Sequence, residues 1–274
     1  MVNLVAVQLV STPKPEENLA QVEQQLKGLE NKGPQLVVLP ECFACFGGSD
    51  KAQLAIAEEE GQGPVQDKLA ALAKQHGIYL VAGSLPIKAG DDKFFATSLL
   101  FSPAGEQIAL YRKIHLFDVE VEDGTGTYLE SRYTRPGNQV VVVETDFGRI
   151  GMAICYDLRF PGLFQAMGQV EFMVLPAAFT KVTGQAHWWA LLQARSIEMQ
   201  CFVVAADQGG RHANGRETFG HSAILSPWGE TLISLQEGPG LIQARVGLTE
   251  LEKIRQRMPV MQHNQFRSLL IEPS

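Results

Sequence analysis

The stretch Gly148-Arg-Ile-Gly-Met-Ala-Ile-Cys-Tyr-Asp-Leu-Arg-Phe-Pro161 anchors the reading of this chain. Ile150, Met152 and Ile154 follow the turn residues Asp146–Gly148 and predict a short buried strand. Cys155 stands where that strand stops, and Pro161 with the apolar-periodic residues after it predicts a helix a few positions on. A thiol on such a strand-to-helix bend points out of the sheet toward free backbone N–H groups, which favour negative charge. The expectation is a cysteine biased toward the thiolate, the form that attacks carbonyl carbon. The competing reading is a buried, inert thiol, because free cysteine is among the most buried residue types.

Working outward, the chain repeats itself. Strands are expected at Leu4–Leu9, Leu36–Leu39 and Ile78–Ala82, with Thr97–Ser102 and Gln107–Tyr111 forming a hairpin around Pro103-Ala-Gly-Glu106. Helices are expected over Glu16–Lys32, ended by Gly33-Pro34, and over Pro64–Gln75, with proline in its first turn and Gly77 after its end. In the second half Ile150–Ile154 answers the N-terminal strand. Phe172-Met-Val-Leu-Pro176 answers Leu36-Val-Val-Leu-Pro40, and Phe202-Val-Val-Ala205 answers Tyr79-Leu-Val-Ala82. Helix is expected over Gln185–Met199 between them. Ser222-Ala-Ile-Leu-Ser-Pro-Trp-Gly-Glu230 answers Ser98-Leu-Leu-Phe-Ser-Pro-Ala-Gly-Glu106. One βα unit used twice, with this much buried strand, predicts two packed sheets with helices outside: a four-layer αββα sandwich of the α/β class. The expectation is one domain over residues 1–274, with a short charged helix at Leu248–Met258 and a tail from about 259 that packs on a neighbour.

The 274 residues are 45% apolar and 19% charged, which suits a filled globular core rather than disorder. No apolar run is long enough to cross a bilayer, and Val2–Val10 lacks the basic flank and small-residue cleavage site of a signal segment. A net charge of −7 argues against a nucleic-acid role. The four cysteines, Cys42, Cys45, Cys155 and Cys201, form no secreted-protein framework, so a reducing cytoplasm is expected. Cys42-x-x-Cys45 lacks the second pair that zinc would want. Gly124-Thr-Gly126 lacks the third glycine of a dinucleotide loop.

Three polar residues are candidates to meet the thiol. The two Leu-Pro strand ends differ, one carrying Glu41 and the other Ala177. The carboxyl ends of strands form the ligand crevice of open α/β sheets, so Glu41 and Cys155 are placed to face one pocket. There a carboxylate can take the thiol proton. Lys113, among Ile114, Leu116 and Phe117, is either snorkelling or held in a pocket, where its charge steadies an oxyanion. His115 is an alternative base; two residues from Lys113, it shares that residue's face if the strand continues.

Leu39-Pro-Glu41, Tyr111-Arg-Lys113-Ile-His-Leu-Phe and the block around Cys155 resemble, in order and spacing, the three catalytic blocks of the nitrilase superfamily of carbon–nitrogen hydrolases. The likeness covers nearly the whole chain. It implies Glu41 as general base, Lys113 as oxyanion stabiliser and proton donor, and Cys155 as nucleophile. It also implies a second glutamate ahead of a Pro-Gly, here Glu130, that orients the lysine. The αββα fold and a homodimer or higher homo-oligomer are further implications, with no metal or organic cofactor.

Finer marks are similar to the deaminated glutathione amidase branch of that superfamily. They include Phe117-Asp-Val-Glu120, Thr183-Gly-Gln-Ala-His187-Trp188, Ile197-Glu-Met-Gln-Cys201, Gly210-Arg-His212, Gly220-His-Ser222 and Met258-Pro-Val-Met-Gln-His263. The branch hydrolyses the amide between a 2-oxoglutaryl group and Cys-Gly. The loop Glu41-Cys-Phe-Ala-Cys-Phe46 departs from it toward the sister ω-amidases, which act on 2-oxoglutaramate. The expected substrate is a small anionic amide. Tyr156, Arg159, Phe179 and Thr180 are the expected contacts, with the Tyr156 backbone N–H on the oxyanion. Arg159 is a two-pronged partner for a carboxylate or else a surface residue at a helix start, with Arg132 and Arg211 as lesser candidates.

Overall fold

In the computed structural model, which describes residues 1–30, 33–49, 51–90 and 92–271, the repeat becomes two sheets stacked face to face. In chain order the strands are β1 Val2–Gln8, β2 Gln35–Val38, β3 Tyr79–Val81, β4 Leu85–Gly90, β5 Lys93–Phe101, β6 Gln107–Arg112, β7 Asp118–Glu120, β8 Thr127–Leu129, β9 Val142–Thr145, β10 Gly148–Met152, β11 Phe172–Ala177, β12 Phe202–Asp207, β13 Ala223–Leu225, β14 Thr231–Ser234 and β15 Gly240–Val246. The helices are α1 Pro15–Leu26, α2 Ala52–Ala55, α3 Pro64–His76, α4 Pro161–Met167, α5 Lys181–Met199, α6 Leu248–Arg257 and α7 Val260–His263. The first sheet runs β15-β1-β2-β3-β5-β4, with β6 on β5, and the second runs β14-β13-β12-β11-β10-β9. β1, β2 and β3 are parallel, as are β10, β11 and β12; each trio is followed by an antiparallel hairpin. The internal repeat is therefore a repeat of topology.

Strands buried on both faces read as continuous apolar runs, and here each run divides by parity. Leu4, Ala6, Leu36, Val38 and Val81 belong to the core shared with the second sheet. Their neighbours Val5, Val7, Val37, Leu39 and Leu80 pack instead against Val22 and Leu26 of α1 and Leu69 and Leu72 of α3. On the other side Trp188 and Leu192 of α5 join Met173, Leu175 and Val203. Four layers result: helix, sheet, sheet, helix.

Several expected elements shift. α1 ends at Leu26 rather than running toward Lys32, which lies outside the described residues; Gly28 and Leu29 close short turns onto Gln25 and Leu26 instead of extending the helix. α5 starts four residues before Gln185 because the Thr180 side chain accepts from the Thr183 N–H and caps it. α3 ends, as expected, at a left-handed Gly77. β4, β7, β8, β9, β14 and β15 have no counterpart in the sequence reading. β15 is the important one, because the last strand of the chain returns to pair antiparallel with the first, Val2 opposite Val246. Beyond α7 the described tail leaves Phe266, Leu269 and Ile271 exposed.

Candidate active site

The two Leu-Pro strand ends meet at the top of the sandwich, where the Glu41 N–H donates to the Ala177 carbonyl at 3.2 Å. Gln208, at the end of β12, donates to the Glu41 carbonyl at 3.0 Å. This carries the Glu41 side chain, 5% exposed, inward. Close approach here depends on Gly83, at φ +50°, where a Cβ would lie 2.0 Å from the Pro40 carbonyl oxygen.

Lys113 follows the last residue of β6, so alternation along a strand does not apply to it or to His115. Its ammonium, 2% exposed, donates to Glu41 Oε1 at 2.7 Å and to Glu130 Oε2 at 2.9 Å. Glu130 opens a single 3₁₀ turn after β8, and its Oε2 also accepts from the Phe117 N–H at 2.6 Å. Pro136-Gly137, further along, fixes the backbone of the lysine segment. The Gly137 N–H donates to the Lys113 carbonyl, and a Cβ at Gly137 would lie 2.2 Å from the Arg112 carbonyl oxygen. Burial opposes the charge of Lys113, but Glu130, Glu41 and Cys155 outweigh it and hold the ammonium well above the usual lysine range. Burial pushes the Glu130 carboxyl up.

Cys155 begins the 3₁₀ turn Cys155–Arg159 with φ +46°, a strained value for a residue with a side chain. Asp157, fully buried, holds that geometry. Its Oδ2 accepts from the Ile154 N–H at 2.9 Å and the Tyr111 hydroxyl at 2.7 Å, while Oδ1 accepts from the His115 N–H at 3.0 Å. The clamp thus joins the nucleophile turn to the lysine segment. His115 is spent on it, with Nδ1 2.7 Å from Asp157 Oδ1 and its ring stacked on Phe160 at 3.8 Å. It does not line the cavity that Cys155 opens into. The reading of His115 as base is accordingly not supported.

The expected bias of Cys155 toward thiolate is also corrected. Burial, then the Glu41 carboxylate, raise the thiol well above the ordinary cysteine value. Lys113 and the Ala178 N–H, both of which would favour the anion, do not offset them. Burial and the Glu41 carboxylate thus favour the neutral thiol over the thiolate.

Glu41, Lys113, Glu130 and Cys155 all line one cavity of about 680 Å³. Tyr156, Arg159, Phe179 and Thr180 line it as well, and so does Arg132; Arg211 does not. Arg159 lies over the Tyr156 and Phe179 rings and approaches His187 Nδ1 at 3.1 Å. Cys42 and Cys45 are free thiols on the same wall, with Gln53 Nε2 3.2 Å from Cys42 Sγ. Sequence reasoning missed Asp157, which sat inside the quoted motif with no periodicity to mark it. It also missed Tyr128, Asn214 and Arg216, which reach the cavity from loops and a short strand.

This fold and this cluster define a class. The chain belongs to the carbon–nitrogen hydrolase family, whose profile matches residues 4–256. It is 43% identical over 273 residues to the deaminated glutathione amidase of Yersinia enterocolitica, covering 98% of this chain and 95% of that protein. Among solved structures it is similar to the C. elegans NitFhit protein, with a TM-score of 0.86, 33% identity and 96% of this chain covered, but only 65% of that longer chain. It is likewise similar to Saccharomyces cerevisiae Nit3, a member of branch 10 of the nitrilase superfamily, with a TM-score of 0.85, 29% identity and 97% of each chain covered. The protein is a hydrolase of non-peptide carbon–nitrogen bonds built as an αββα sandwich.

Proposed function

We propose that this enzyme hydrolyses deaminated glutathione to 2-oxoglutarate and Cys-Gly through a thioester on Cys155. The observation that supports this reading most is the buried contact of Lys113 with both Glu41 and Glu130 beside the Cys155 thiol. The relative from Yersinia supplies the substrate.

In this reading Glu41 takes the thiol proton as sulfur attacks the amide carbonyl, so a thiolate forms only as it is used. Negative charge moves onto the carbonyl oxygen, where the Lys113 ammonium and the Tyr156 backbone N–H receive it. The tetrahedral intermediate collapses as the C–N bond breaks. The amine of Cys-Gly departs with the proton held by Glu41, leaving the 2-oxoglutaryl thioester. Glu41 then takes a proton from water, whose oxygen adds to the thioester carbonyl. Collapse expels the sulfur, which recovers the proton, and 2-oxoglutarate leaves. Glu130 holds Lys113 in place throughout. Arg159, one turn from the nucleophile, pairs with the carboxylate of the 2-oxo acid. A homodimer or higher homo-oligomer and a cytoplasmic setting belong to the same reading.

The test is a panel of deaminated glutathione and 2-oxoglutaramate assayed side by side, with intact mass read on quenched enzyme. The expected result is a strong preference for deaminated glutathione and a 2-oxoglutaryl adduct that Cys155→Ala does not form. Equal or reversed preference defeats the substrate assignment.

A further inference from the structure

The hydrolytic steps leave two cavity-lining arginines unused, Arg132 and Arg216, and Arg216 is the one clasped between two rings. The Arg216 guanidinium is held between two aromatic faces, 4.8 Å from the Phe46 ring centre and 4.7 Å from that of Tyr128. Its backbone sits in a tight turn, where the His212 N–H donates to the Arg216 carbonyl and the Gly215 N–H to that of His212. His212 is pinned by Ser11 and Thr218 and meets the edge of Phe46. The nearby acid, Asp123, feels the Arg216 charge but makes its hydrogen bonds elsewhere: it accepts from the Tyr128 hydroxyl at 2.8 Å and from the Thr125 and Gly126 N–H groups. Among the described residues no carboxylate forms an ion pair with Arg216. A guanidinium fixed by rings, with its edge N–H groups uncommitted, is prepared for an anion brought by a ligand.

Its position says which end of a ligand. Arg159 follows Cys155 within one turn, whereas Arg216 is three rings away along the wall. From Tyr156, beneath Arg159, the rings step 5.1 Å to Phe117 and 5.1 Å to Tyr128, beneath Arg216. Arg216 and Tyr128, with Gly124, Thr125 and Asn214, also line a second cavity of about 390 Å³, so this wall is common to both. During turnover the acyl group stays on sulfur while the amine departs, so the acyl end belongs beside Cys155 and the leaving group toward the Arg216 wall.

We propose that Arg216 is the subsite for a carboxylate at the far end of the leaving group, making the cavity selective for amides that are anionic at both ends. This rests on the function proposed above. The Cys-Gly portion of deaminated glutathione carries such a carboxylate, while the ammonia released from 2-oxoglutaramate carries none. Arg216 is thereby the residue that separates the two substrates.

The experiment compares wild type, Arg216→Gln and Arg216→Lys on deaminated glutathione, on its C-terminal glycinamide and on 2-oxoglutaramate. Loss of one charge-assisted contact predicts a fall of about 10- to 100-fold in kcat/KM on deaminated glutathione for Arg216→Gln, carried mainly by KM. Wild type should fall by a similar factor on the glycinamide, and Arg216→Gln should then lose little more. Arg216→Lys should recover part of the loss, and the effect on 2-oxoglutaramate should be several-fold smaller. An equal fall on all three substrates makes Arg216 a structural residue and overturns the proposal. So does a wild type that does not distinguish acid from amide. If wild type fails to hydrolyse deaminated glutathione while turning over 2-oxoglutaramate, the functional reading falls and takes this subsite with it. That failure is read from wild type alone.

Discussion

Cys155 reports on its neighbours through its proton. Burial and the Glu41 charge keep it a thiol, so alkylation by iodoacetamide should be slow at neutral pH and still accelerating above the range of an ordinary cysteine. The sign of each neighbour is separable. Glu41→Gln removes a charge that raises the thiol, so the alkylation profile should move to lower pH even as turnover falls by about a thousandfold or more. Lys113→Met removes a charge that lowers it, so the profile should move higher. Both shifts are read from the rate of mass labelling at Cys155 against pH. Movement in the same direction for the two variants would refute the proposed balance.

Among the elements, the 3₁₀ turn Cys155–Arg159 is held by the buried Asp157 carboxylate, and the turn Pro40-Glu41 by its bonds to Ala177 and Gln208 and its close approach to Gly83. Asp157→Ala would leave the Tyr111 hydroxyl and the Ile154 N–H without their acceptor, at a cost of roughly 3 kcal/mol or more. Tyr111→Phe, which deletes one donor and leaves the rest of the clamp, should cost about 1 kcal/mol. Urea unfolding midpoints check both. Gly83→Ala places a methyl on the Pro40 carbonyl and should lower kcat by displacing Glu41, with a smaller effect on KM. A variant as active as wild type would show that the strand end shifts without moving the base.

At the scale of the molecule, the first sheet is closed by the last strand. Removing β15 by ending the chain at Pro239 would strip seven ladder partners from β1, exposing an apolar edge. The truncated protein should be insoluble or lose its cooperative melt, measured as soluble yield and by far-UV circular dichroism. A truncation that keeps both would mean the sheet is stable without its C-terminal partner.

The buried strands were legible because their residues are apolar on both faces, and the repeat was legible because Leu-Val-Val-Leu-Pro and Met-Val-Leu-Pro carry the same pattern. Proline at the starts of α3 and α4 and Gly77 after α3 marked helix ends for reasons internal to a few residues. The motif residues Glu41, Lys113, Glu130 and Cys155 could be named from chain order and family likeness. Their charges could not, since the state of the thiol depends on burial and on a carboxylate 114 positions upstream in the chain, set beside it only by folding. The pairing of β15 with β1, the role of Asp157 and the placement of Arg216 share that origin. Short-range pattern encodes backbone conformation and which faces are buried, because those follow from neighbours within a turn or a pleat. Proton affinities, clamps and subsites arise from side chains meeting across the sandwich, and no local pattern carries that distance.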